Sequence, residues 1–309
     1  MPRALRIQYP GARYHVINRG NYKSDIFAGE GEQHAFLKAL FEAVKRHEWK
    51  LHAYVLMRNH YHLAIETTYP NLTEGMQWLQ GTFANRFNRM RKQRGHLFQG
   101  RYKAIILEDK QALCRVVDYI HLNPVRAKVV EPALITDYAA GSLPVFLKRN
   151  HPPGLVCEEW LKARGGWDDT PDGMSLYIKY LIEIGQNEKA QEQAGLTKLS
   201  RGWALGAQGW KQALAREHAQ KIHAEGMGKA EMDGMKEAYW KTLLAASLER
   251  TGRKEADLKT KPKMQPWKKD LLVELREKAG IPIKWLAREL QLGTPSYVRN
   301  LLSINKTNE

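Results

Sequence analysis

Tyr54-Val55-Leu56-Met57-Arg58-Asn59-His60-Tyr61-His62-Leu63-Ala64-Ile65 sets the architecture of the domain around it. It is apolar and β-prone, and Asn59 breaks the run, which predicts a hairpin. In a strand, residues i and i+2 share one face. His60 and His62 therefore project side by side, while Tyr61, Leu63 and Ile65 point the other way into a core.

Upstream of it, Tyr14–Arg19 is a short β-rich run closed by Gly20-Asn21. Residues 30–48 carry a helical stripe of Phe36, Leu37, Leu40, Phe41 and Val44. Asn71 is a candidate N-cap for a long helix with Leu72, Met76, Leu79, Phe83, Phe87 and Met90 on one face. Lys103–Leu107 reads as a fourth strand, and residues 109–121 as a helix that Pro124 interrupts or ends. The order β-α-β-β-α-β-α predicts an α+β, ferredoxin-like antiparallel sheet over residues 1–135. Its helices pack on one face and leave the histidine face free.

A connector and helical region follows over 136–262, rich in Pro, Gly and charge at its start. Residues 251–268, with many Lys and with Pro262 and Pro266, read as a basic linker. Residues 263–309 form a helix-turn-helix-like unit. In it Gln291-Leu292-Gly293 makes the turn, Thr294 caps and Pro295 takes the first helical position. Ser296, Tyr297, Arg299 and Asn300 would face a DNA groove.

The 309 residues are 43% hydrophobic, ordinary for a globular chain, but the net charge is +16 and the pI about 9.7. Such a balance points to a polyanion, nucleic acid first and an anionic membrane surface second. No run of about 18 apolar residues is present, which excludes a transmembrane helix. The N-terminus lacks the apolar core of a signal peptide. Two cysteines, Cys114 and Cys157, make neither a disulfide framework nor a zinc site. A cytoplasmic protein is expected.

Two imidazoles on one strand face can hold a divalent metal, though a lone His-x-His is more often a pair of solvent-facing side chains. Tyr119 and Asn123 share a helix face. Tyr119 fits a nucleophile for phosphate, or a tyrosine packed between helix and sheet. Asn123 fits an oxygen ligand, or a helix end before Pro124. Two nitrogens and one oxygen suit Mn2+, with Mg2+ possible. Residues 86–103 hold seven Lys or Arg and no acid, interleaved with Phe and Tyr. Arg86, Arg89, Arg94, Arg101, Tyr102 and Lys103 are the DNA-binding candidates there, by phosphate pairing and base stacking.

Four stretches together resemble one family: Tyr14-His-Val-Ile-Asn-Arg-Gly20, Tyr54–Leu63, His96-Leu-Phe-Gln-Gly-Arg-Tyr102 and Tyr119-Ile-His-Leu-Asn-Pro-Val-Arg-Ala127. They are similar to the HUH-type single-tyrosine transposases, and among them the REP-associated tyrosine transposases. Leu199–Gly206 is similar to a segment that follows the catalytic domain in longer members. The last helices resemble those of DnaA-like proteins. The resemblance implies metal-dependent nicking and strand transfer on hairpin-bearing, REP-like single-stranded DNA through a 5′-phosphotyrosine. It implies Tyr119 as nucleophile and His60 and His62 as metal ligands. Related insertion-sequence transposases place a Gln ligand four residues after the tyrosine; here that position is the shorter amide Asn123. The other readings are a DNA-binding regulator with a vestigial nuclease site and a relaxase-like nicking enzyme. A monomer or homodimer fits any of them.

Overall fold

The structure is a computed structural model. It describes residues 7–306 apart from 150, 198, 218–228, 261, 263, 264 and 280. The chain divides into two compact units, one ending at Trp210 and the other running from Lys211.

The first unit is built on strands β1 (Ala12–Arg19), β2 (Trp49–Met57), β3 (His60–Thr67), β4 (Lys103–Leu107) and β5 (Ala204–Leu205). Their order across the sheet is β2-β3-β1-β4-β5. The first four pair antiparallel in ferredoxin-like order. The fifth lies parallel to β4, so the sheet as a whole is mixed. On the opposite edge, Leu51, Tyr54 and Leu56 of β2 donate their N–H groups to Gly154, Ser142 Oγ and Ala140.

Helices α1 (Glu30–His47) and α2 (Leu72–Arg91) cover one face. Tyr61 points into them and packs on Phe36 at 4.8 Å between ring centroids, within a cluster that includes Phe27 and Phe83. Its hydroxyl accepts from Gln80 at 2.7 Å. The same alternation that buries Tyr61 turns His60 and His62 to the other face.

That other face is not free. Helix α3 (Lys110–Arg126) packs across β2, β3 and β4. Its buried stripe includes Leu113, Val116, Val117 and Ile120, which needs an apolar surface beneath it. Nor does Pro124 end the helix. It sits in the last turn, where one carbonyl, that of Ile120, loses its helical donor, and the helix runs on to Arg126. Asp109 caps the start, accepting from Ala112 N at 2.7 Å.

Helices α4 (Leu143–Leu147), α5 (Glu158–Gly165), α6 (Pro171–Gly185) and α7 (Glu188–Gln193) pack around α3. A buried polar chain ties them together. Asp118 on α3 pairs with Arg164 of α5 and accepts from Tyr177 and Tyr180 of α6 at 3.1 and 3.2 Å. Tyr177 Oη meets His121 Nδ1 at 2.9 Å, and His121 Nε2 meets Ser142 Oγ at 2.9 Å. Burial raises the Asp118 carboxyl to about 6, although Arg164 opposes the rise.

Arg164→Leu leaves Asp118 buried without its cation, which costs about 3–5 kcal/mol. Since the folded-state pKa then stands further above the unfolded value, the loss is greatest above neutrality and shrinks as Asp118 takes up a proton in acid. Urea denaturation of the variant between pH 5 and 8 measures this; an equal deficit at both ends would remove Asp118 as its cause.

The second unit holds α8 (Gln208–Glu217, spanning its start), α9 (Lys229–Arg250), α10 (Glu255–Thr260), α11 (Pro266–Ala279), α12 (Ile283–Glu289) and α13 (Pro295–Lys306). One core joins Leu244, Leu248 and Leu258 with Leu271, Leu275, Leu286 and Val298. Residues 251–268 therefore include packed structure and are not simply a linker. Leu258 is in the core, and the buried Lys268 donates to its carbonyl at 2.8 Å. Thr294 caps α13 as its sequence predicts, its Oγ1 accepting from Tyr297 N at 3.3 Å.

Candidate active site

The pairing register places Arg19 opposite His60, Ile17 opposite His62 and His15 opposite Ala64. His15 and His62 are thus diagonal neighbours on one face. His15 Nε2 lies 2.9 Å from His62 Nδ1, and His15 Nδ1 lies 3.0 Å from the Leu199 carbonyl. The carbonyl can only accept, so His15 carries its proton on Nδ1 and accepts through Nε2. His62 must then donate from Nδ1, which leaves its Nε2 lone pair free of this bond.

His60 reaches the same state by a separate route. Asn59 Nδ2 donates to the Lys23 carbonyl at 3.2 Å, which turns Asn59 Oδ1 toward His60 Nδ1 at 2.8 Å. His60 donates there and keeps a lone pair on Nε2. Both motif histidines thus present the nitrogen that a divalent metal requires, each oriented by a bond to its other nitrogen.

Burial lowers the pKa of all three rings. His15 falls to about 4. His62 falls well below its ordinary value, through burial first and then His15, His60 and Arg126. His60 is lowered by burial and by Arg19. All three are neutral at pH 7, the form that ligates.

Helix α3 brings Tyr119 onto this group. Its ring is 5.5 Å from that of His62 and 5.7 Å from that of His15, both edge-on. Tyr119, Asn123 and Arg126 share one helix face at spacings of four and three. The Arg126 guanidinium lies over the Tyr119 ring, 4.9 Å from its centroid. Asn123 is buried, its amide nitrogen 3.5 Å from the Tyr119 carbonyl.

The basic segment is divided. Arg89, Arg94 and Arg101 are exposed. Arg86 is committed to Glu42 at 2.6 Å. Tyr102 departs from its expected place on a DNA-facing surface: it is 5% exposed, with its hydroxyl 3.5 Å from the Leu72 carbonyl. Its position next to β4 puts it on the face covered by α2. Lys103 turns to the opposite face and donates to Ser200 O at 2.8 Å. In the second unit, Ser296, Tyr297, Arg299 and Asn300 are exposed on α13.

Two residues that the sequence reading did not single out, His15 and Arg126, belong to this site. Same-parity placement with His62 across β1 and β3 was the available signal for His15. For Arg126, it was the helical spacing from Tyr119, hidden by reading Pro124 as the helix end.

Among the described residues, His52, Glu66 and Glu159 also have ligand spacing. Arg13 bridges both carboxylates at 2.7 Å, Lys50 holds Glu66 at 2.8 Å and Lys110 lies 3.2 Å from Glu159. Three cations already satisfy two anions there, so this is an ion-pair cluster with little attraction for a further cation.

Residues 8–123 match the family model of the IS200-like transposases. The candidate tyrosine Tyr119 and the paired histidines His60 and His62 all fall within the matched residues. No curated protein matches the chain. Among solved structures, the chain is similar to a REP-associated tyrosine transposase bound to a REP hairpin. Identity is 16%, covering 51% of this chain and 92% of that one, with a TM-score of 0.40.

Proposed function

We propose that this protein nicks and rejoins single-stranded DNA beside a REP-like hairpin, with Tyr119 as nucleophile. A Mg2+ or Mn2+ ion would be held by His60, His62 and Asn123. The observation that carries the reading is the placement of Tyr119 against His62 within one chain, both histidines offering Nε2. The donor set of two neutral imidazoles and one amide fits such an ion. When bound, the ion supplies positive charge to a scissile phosphate oxygen.

The Tyr119 oxygen attacks phosphorus and loses its proton. The bond from phosphorus to the 3′ oxygen breaks, and that oxygen leaves and is protonated. A 5′-phosphotyrosine remains. Attack on it by a 3′ hydroxyl reverses the step and joins a strand without ATP. Since His62 and Tyr119 meet in one chain, a single subunit supplies both. The intact constellation favours this over a regulator with a vestigial site. The test is incubation with a labelled hairpin-bearing strand and Mn2+, read on a denaturing gel for nicked strand and protein adduct. Tight binding without either product would favour the regulator.

Arg89, Arg94 and Arg101 are proposed to follow the phosphate backbone of the hairpin. Ser296, Tyr297 and Arg299 on α13 are proposed to dock duplex DNA, in the manner of a helix-turn-helix. No described helix is long and apolar enough to cross a membrane; a cytoplasmic location beside its DNA is part of this proposal. Arg299→Ala is expected to weaken binding to long duplex DNA and to make its salt dependence shallower by about one in logarithmic slope. Fluorescence anisotropy across a salt series measures this, and an unchanged slope would remove Arg299 from the phosphate contacts.

A further inference from the structure

Beyond the matched residues 8–123, the chain returns to the sheet. After α7 it passes Leu196 and Leu199, both buried, and adds β5 to the edge of β4. Two of its peptide carbonyls end on the active-site residues. Leu199 O accepts from His15 at 3.0 Å, and His15 accepts from His62 at 2.9 Å. Leu196 O accepts from Arg126 Nη1 at 3.0 Å, with Gln191 Oε1 3.5 Å from the same nitrogen, and Arg126 covers Tyr119. Lys103 fixes the neighbouring Ser200 O at 2.8 Å, and Ile106 N donates to Trp203 O at 3.0 Å.

We infer that the carbonyls of Leu196 and Leu199 complete the active site. The Leu199 carbonyl, acting through His15, is a positioning group that sets which nitrogen of His62 faces the metal. The Leu196 carbonyl is a positioning group that holds Arg126 against the nucleophile. A carbonyl is suited to the first task because it cannot donate: it admits one tautomer of His15, and His15 then admits one tautomer of His62. A water in its place could donate as well as accept, and His62 would divide between two tautomers. The second task uses the fixed fork of the guanidinium, which gives one arm to the carbonyl while its central carbon sits over the phenol ring. The inference rests on the transposase reading above, but its first half concerns the free protein.

The experiment uses the full chain with Leu196→Gly and Leu199→Gly together, which frees the segment while retaining every catalytic side chain. Nitrogen-15 spectra of the histidine side chains in the metal-free protein report the His62 tautomer. Isothermal titration with Mn2+ reports its affinity. The expected result is a mixed His62 tautomer and roughly a 10- to 100-fold weaker Mn2+ affinity, the usual cost of losing an outer partner of a ligand. Should the double variant fail to fold by circular dichroism, His15→Phe removes the acceptor alone and must give the same two changes. For the second half, Arg126→Met is expected to lower adduct formation with hairpin affinity held, and Arg126→Lys to restore little of it. A His62 tautomer and Mn2+ affinity unchanged in both His15→Phe and the glycine variant would overturn the first half. Full adduct formation by Arg126→Met would overturn the second. If wild-type protein forms no adduct with any single strand, the transposase reading fails, while the tautomer and titration results still decide the role of Leu199.

Discussion

Tyr119→Phe protein is expected to bind hairpin DNA as the wild type does and to form no covalent adduct with it. The substitution removes one oxygen from a ring that is half-buried among His15, His62 and Arg126. The edge-on contacts and the cation over the ring remain, so the fold persists. The loss in cleavage should be on the order of 10⁴-fold or more, the scale seen when a nucleophile is deleted from an enzyme that forms a covalent intermediate. A denaturing gel with labelled strand gives the answer directly. An adduct that survives in the variant would assign the nucleophile elsewhere.

Removing the proposed metal ligands is expected to have a large effect as well. His62→Ala and His60→Ala should each lower cleavage by at least about a hundredfold, and excess EDTA should stop the wild type. The two differ in a second respect. His62 is 3% exposed and bonded to His15, so its loss opens a cavity and strands His15 Nε2. His60 is partly exposed and lies at the hairpin end of β3. Thermal denaturation should therefore separate them, with His62→Ala the less stable. Tyr61→Phe should leave the chemistry intact, because that side chain faces α1 and α2. Nicking that proceeds in excess chelator would remove the metal from the reaction.

The facing of His60 and His62 was legible because strand alternation is a local property, and Tyr61 confirmed it by needing a core. Tyr119 was legible for the same kind of reason, since helical spacing fixes what shares its face. What escaped was set by contacts distant in sequence. Nothing near His15 announces that Leu199 will accept its proton, or that a helix will close over the histidine face. The apolar stripe of α3 could have warned of the latter: Leu113, Val116, Val117 and Ile120 are too many for an open surface. Pro124 misled because a proline near a helix C-terminus costs one hydrogen bond and does not have to stop the helix. Tyr102 misled because basic neighbours suggested a surface, whereas its parity along β4 sends it under α2. Residues 251–268 misled through composition alone. Lysines there coexist with Leu258, and one of them, Lys268, reaches a buried carbonyl.

Both margins of the sheet carry partners from the same chain. Ala140, Ser142, Gly154 and Val156 hydrogen-bond along β2, and β5 is laid on β4 at Ile106 and Leu107. A bare strand margin is a template on which another polypeptide can extend the sheet, and covering it is a common safeguard against that. Here the cover restricts how copies of the enzyme can associate. On the β4 side the margin left for a second copy is the two residues of β5, Ala204 and Leu205, too short to template an extended sheet.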